Sequence, residues 1–97
     1  MKCQFIQTKE FKKSYKKLFK HNKELQIKIV KILLKMENDP FYPSLKTHQV
    51  SLTKYDKKVW SSSITGDIRI IWTFDNENNL IILLLNIGGH SGTNSVY

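Results

Sequence analysis

The 97 residues contain one cysteine, one arginine, two prolines and four glycines, and these scarcities narrow the field before any motif is considered. Cys3 has no second cysteine to pair with, so a fold stapled by internal disulfides is excluded. The longest apolar run, Leu80 to Leu85, is far below the ~20 residues that a membrane-spanning helix needs. The lysine-interrupted start carries no continuous apolar stretch of the signal-peptide kind, so a soluble, cytoplasmic protein with no membrane role is expected. No GxxxxGK[ST] phosphate loop is present, which argues against nucleotide hydrolysis. His21, His48 and His90 are scattered and match no metal-ligand spacing, so neither a metal nor another cofactor is expected. No internal repeat, linker or long low-complexity stretch interrupts the chain.

What is present is enough for one core. Five Phe, four Tyr and two Trp accompany the aliphatic residues, and a chain this short accommodates one domain, residues 1–97. A domain of this size is marginal alone, which fits a stabilising partner. The charge is lopsided: formal net charge is +8, and residues 1–39 hold eleven Lys against four acids. A polyanion such as nucleic acid, or an acidic protein segment, complements that surface, although a lysine-rich helix face can also be merely solvated.

Periodicity predicts a strand over residues 2–6, then a helix from Lys9 to about His21 with Thr8 as N-cap. Phe11, Tyr15, Leu18 and Phe19 make its apolar stripe, and Lys12, Lys13, Lys16, Lys17 and Lys20 occupy the rest. A second helix runs from Asn22 to about Asn38, before Asp39-Pro40. Its stripe of Leu25, Ile29, Ile32, Leu33 and Met36 is widened by Ile27, Val30 and Leu34, a face broad enough to pack on both the first helix and a sheet. Residues 40–56 read as a connecting loop with a short strand around His48 to Leu52. Strands follow at 57–64, 67–74 and 80–87, joined by turns at Thr65-Gly66 and Asp75 to Asn79. The last strand is apolar on both faces, as an interior strand would be. The expected class is α+β, a helical hairpin packed on an antiparallel sheet.

Few side chains in this plan offer chemistry. Arg69 stands in an otherwise apolar and Thr-containing strand, where its guanidinium must reach water, a carboxylate such as Asp67, or a phosphate. Asp67 itself can equally be a turn residue after Gly66. His90 lies just past a buried strand, with an unperturbed pKa of about 6.5 that suits proton transfer, or else it is a solvated tail residue. His48 is a second proton-transfer candidate or a surface residue, and His21 complements a helix end. Trp60 and Trp72 fall on strands, where core packing is the commoner role, whereas Tyr97 has no evident core partner and is suited to stacking on a base.

The ordered set Ser44-Leu45-Lys46-Thr47-His48, Trp60-Ser61 to Gly66-Asp67-Ile68-Arg69-Ile70-Ile71, Leu83-Leu84-Leu85-Asn86-Ile87-Gly88-Gly89-His90 and closing Val96-Tyr97 resembles the RelE/StbE-type toxins of bacterial toxin–antitoxin systems, closest to their YafQ-like branch. The resemblance implies a RelE-like fold and a ribosome-dependent, metal-independent endoribonuclease. Such an enzyme cleaves mRNA by attack of the substrate's own 2′-OH, arrests translation and is neutralised by a cognate antitoxin. It further implies His90 as general acid or base, Arg69 on the phosphate, Tyr97 orienting the substrate, and His48 and Asp67 as further site residues. The RNA-contacting set would be Lys12, Lys13, Lys16, Lys46 and Trp60. The partners would be antitoxin, ribosome and mRNA, with operator DNA bound through the antitoxin. Three positions depart from the pattern: Tyr97 follows His90 by seven residues rather than four, Ser63 replaces a histidine, and Ser91-Gly92 replaces acidic residues. The competing readings are a ParE-like inhibitor of DNA gyrase and a non-catalytic module that binds RNA or antitoxin.

Overall fold

Thr8 starts the first helix as its side chain allows: its hydroxyl oxygen accepts the Phe11 N–H at 3.2 Å and donates to the Leu84 carbonyl at 2.9 Å. A cap of this type contributes about 1 kcal/mol, and here it also ties the helix to a strand 76 residues away. In the computed structural model, which describes residues 2–52, 54–56, 58–75 and 78–89, helix α1 spans Lys9–Phe19. Phe11 and Phe19 are buried, and Tyr15 stacks on Phe19 with ring centroids 4.6 Å apart. Asn22 caps helix α2, Lys23–Asn38, by accepting the Leu25 N–H at 3.1 Å. The Gln26 side-chain amide donates to the Phe19 carbonyl at 2.6 Å and locks the corner between the helices.

The strands are β1 (Gln4–Gln7), β2 (His48–Val50), β3 (Val59–Ser63), β4 (Ile68–Asp75) and β5 (Asn78–Gly89), in the sheet order β1-β5-β4-β3-β2. All neighbours are antiparallel except β1, which runs parallel to β5 and makes that edge mixed. The reason is connectivity: direction alternates along the antiparallel series β2, β3, β4 and β5, and since the helical hairpin delivers β2 opposite to β1, β5 runs alongside β1 in the same direction.

The apolar residues of β5 change parity along the strand. Ile82 and Leu84 face the helices, yet the next such residue is Ile87. A register shift resolves this: Ile71 pairs with Asn86 and Trp72 with Leu84, leaving Leu85 as the extra residue of a bulge. Ile87 thereby returns to the core face beside Ile70. Without the bulge every later side chain of β5 would point to the opposite face. Trp72, Ile70 and Leu84 form the core with Phe11, Phe19, Ile29 and Met36, and a smaller cluster of Val59, Ile71 and Leu85 lies on the other face with Val50, Leu52 and Tyr55 against it.

The buried side of α2 is narrower than its periodicity predicts. Ile29, Ile32 and Met36 are buried, but Ile27, Val30 and Leu34 are each more than half exposed. Periodicity reports which residues share a face, and only packing decides how much of that face is covered. Cys3 is buried in the core, and burial pushes its thiol pKa up. Among the described residues no helix is long and apolar enough to cross a membrane.

Candidate functional site

Arg69 occupies a place in β4 where both cross-strand neighbours are small: Ser63 on β3 and Gly88 on β5. That leaves room for a guanidinium that would otherwise be crowded by a pleated sheet of branched side chains. The side chain is half-buried and turns toward the β3–β4 hairpin, where Nη1 donates to the Thr65 carbonyl at 2.7 Å and, more weakly, to that of Ile68 at 3.4 Å. The hairpin is itself braced by Thr65, whose hydroxyl oxygen accepts the N–H groups of Asp67 at 3.2 Å and Ile68 at 2.9 Å. Asp67 is exposed at the turn and belongs to this brace through its backbone.

Beside Arg69 opens a cleft of about 360 Å³ between α2, the chain at 44–46 and the hairpin. Lys28, Lys35, Lys46 and Arg69 line it, together with the hydroxyls of Ser44, Ser63 and Thr65, and none of its lining residues is acidic. Lys35 also places its ammonium 5.4 Å from the centre of the Tyr42 ring, a cation–π distance. Lys46 ends a 3-10 turn, Pro43–Leu45, in the left-handed conformation at φ 49°. Lys46 belongs to the RNA-contacting set that the sequence resemblance implies, and Lys28 and Lys35 do not. Their spacing of seven residues, two helical turns, was the available signal that they share a side of α2.

His48 opens β2, the short strand expected within this connecting segment, and its Cα partner is Ser61, which pairs in turn with Ile71. His48 and Arg69 thus face the same side of the sheet, two strands and one pair of residues apart, roughly 12 Å at the backbone by ideal strand spacings. At that separation they can bracket a nucleotide. The exposed imidazole has Nδ1 3.0 Å from the Lys46 carbonyl. A carbonyl only accepts, so Nδ1 carries the proton and, in the neutral ring, Nε2 keeps its lone pair outward as a base.

Trp60 is half-buried and its ring is engaged: centroids lie 6.0 Å from Trp72 and 5.1 Å from Phe41. Lys12, Lys13 and Lys16 are exposed on α1, and none of them is among the residues that line the cleft. His90 and Tyr97 lie outside the described residues. Among the described residues no three His, Cys, Asp or Glu side chains group as a metal site would require.

No protein-family model and no curated protein matches this chain. Solved structures do. The YoeB dimer from Staphylococcus aureus is similar with a TM-score of 0.71 at 16% identity, over 94% of this chain and 100% of that one. The YoeB/ParE toxin from Agrobacterium tumefaciens is similar with a TM-score of 0.70 at 15% identity, over 91% and 99%. The DinJ-YafQ toxin-antitoxin complex from E. coli is similar with a TM-score of 0.69 at 12% identity, over 93% and 94%. What these likenesses share with the chain is the fold: two helices on a five-stranded, mostly antiparallel sheet, the α+β architecture of RelE/YoeB/YafQ-type toxins.

Proposed function

We propose that the chain is the toxin of a toxin–antitoxin pair, a ribosome-dependent endoribonuclease that cleaves mRNA without a metal. The observation that carries this reading is Arg69, carbonyl-anchored beside a cleft lined by three further cations and no carboxylate, on a fold shared with YoeB and YafQ toxins. Arg69 supplies charge to the phosphate as it becomes pentacoordinate, where a positioned cation acts most strongly. A base must take the 2′-OH proton, and an acid must return one to the departing 5′ oxygen. His48 Nε2 suits the first role, and His90, which follows Gly89 in sequence, suits the second. Tyr97 stacks on or orients a base, and Asp67 supports the hairpin that aims Arg69. An antitoxin that binds this basic protein carries an acidic or amphipathic segment, and the pair meets operator DNA through the antitoxin.

The test is translation arrest by the purified chain, with His90→Ala and Arg69→Ala variants and an mRNA carrying a 2′-deoxy nucleotide at the cut site. Loss of arrest in both variants with the fold retained, and no product from the 2′-deoxy message, is the expected result. Unchanged arrest in both variants excludes the nuclease mechanism. Inhibition of gyrase supercoiling with intact mRNA would instead identify a ParE-like activity on the same fold.

A further inference from the structure

The cleft between α2 and the β3–β4 hairpin is lined by cations and hydroxyls, with no opposing charge. Its lining offers Lys28, Lys35, Lys46 and Arg69 as cations and Ser44, Ser63 and Thr65 as hydroxyls, with no histidine, carboxylate or tyrosine among them. Such a set binds an oxyanion through charge and hydrogen bonds. At about 360 Å³ it falls at the lower end of the size of small-ligand sites, ample for a phosphate with its attached sugar. The walls come from three separate parts of the fold, so the four cations converge only when α2, the 44–46 turn and the hairpin are docked. Two features fix their placement: Lys46 is held in a left-handed backbone conformation, and Arg69 is anchored through Nη1 to the Thr65 and Ile68 carbonyls.

We infer that this cleft is a phosphate subsite for the RNA backbone, gripping a phosphodiester next to the one that is cleaved. Lys28 and Lys35 are its positioning residues, and Arg69 sits at the boundary and spans both phosphates. Arginine has five N–H donors in a planar fork, so anchoring bonds from Nη1 still leave the Nε and Nη2 edge to meet an anion side-on. The occupant being RNA rests on the reading above, while the oxyanion site stands on the lining alone. The subsite sets the register of the strand, so that bound RNA reaches His48 on the adjoining sheet face.

The experiment is an NMR titration of the whole chain, first with inorganic phosphate and then with a 2′-O-methyl RNA tetranucleotide, which has no free 2′-OH to react. Both probes should shift the amide resonances of Lys46, Thr65 and Gly66 in a saturable way. The pair K28E/K35E should weaken tetranucleotide binding by about tenfold or more, as expected when two phosphate contacts are reversed in sign, while K28R/K35R keeps it. K23E/K31E makes the same charge change on exposed positions of the same helix outside the cleft and should weaken binding by less than about threefold. Equal weakening by both reversal pairs would reduce the cleft to general electrostatics and overturn the proposal. So would phosphate or RNA that leaves residues 44–46 and 63–66 unshifted. Because the probe cannot be cleaved, a wild-type chain that binds it in the cleft yet never cuts mRNA would remove the nuclease reading and keep the subsite.

Discussion

The indole N–H of Trp72 donates to the hydroxyl of Ser62 at 2.8 Å, and both residues are fully buried. Ser62 and Thr47 hydroxyls are 2.6 Å apart, and the Thr47 hydroxyl donates to the Pro40 carbonyl at 2.7 Å. Since Thr47 has one proton and gives it to Pro40, Ser62 must be the donor to Thr47. The chain of bonds is therefore directional, from Trp72 through Ser62 and Thr47 to Pro40, and it pins the segment bearing Lys46 and His48 to the core.

Ser62→Ala should therefore cost about 1–3 kcal/mol, the penalty for a buried N–H left without an acceptor. For a chain of this length that lowers Tm by roughly 5–15 °C, read by thermal unfolding. In a double-mutant cycle with Trp72→Phe, the combined loss should be smaller than the sum, because the second change removes the donor that the first one orphans.

Lys46 separates stability from function. At φ 49° a side chain costs about 1 kcal/mol that glycine does not, so Lys46→Gly should leave Tm unchanged or raise it by a few degrees. The same change removes one of the four cations of the cleft, and on the proposed reading affinity for a 2′-O-methyl RNA tetranucleotide should fall severalfold. A large loss of Tm would show that the turn depends on the lysine itself.

Tyr55 predicts behaviour in alkali. Its hydroxyl is buried with no hydrogen-bond partner among the described residues. Burial, and then the nearby Glu10 carboxylate, push its pKa up to about 12. Glu10 accepts from the Asn86 amide at 3.0 Å and pairs with Lys54, so its charge is held in place. A phenol that is harder to ionise when folded favours the folded state up to its unfolded pKa of about 10, and that contribution is lost as pH rises from there through about 12. Stability measured by denaturant should fall across that window, and Tyr55→Phe should flatten this component of the fall. At neutral pH the same variant should be neutral or slightly stabilising, because it removes an unpaired buried hydroxyl.

Salt provides a further check on the proposed RNA contacts. If the four cations of the cleft neutralise the two phosphates assigned to them, log affinity for single-stranded RNA should fall against log salt with a slope of about −1.4. A slope near zero would make the lysines of α1 and the cleft ordinary solvated surface.

Much of this arrangement was legible beforehand in the local pattern. The Thr8 and Asn22 caps, both helices, the interior character of β5 and the isolation of Arg69 in its strand all follow from residues within a few positions of one another. The cleft was not legible in that way. Lys28 and Lys35 looked like two more members of a lysine-rich surface, and nothing near them in sequence announces Arg69 or Thr65. The exposed Ile27, Val30 and Leu34 mislead for a related reason, since an apolar face is a local property and its cover is not.

Sequence alone determined the helices, their caps, the turn at Thr65-Gly66 and the charge excess of the first 39 residues, because capping bonds, periodicity and turn chemistry act over short separations. Tertiary structure alone decided that β1 pairs parallel to β5, that a bulge at Leu85 restores Ile87 to the core, and that Gly88 and Ser63 flank Arg69. Those outcomes depend on which distant strands meet and in what register. That choice is made by burying both faces of β5 and closing the chain through α2, and it brings four cations to one cleft.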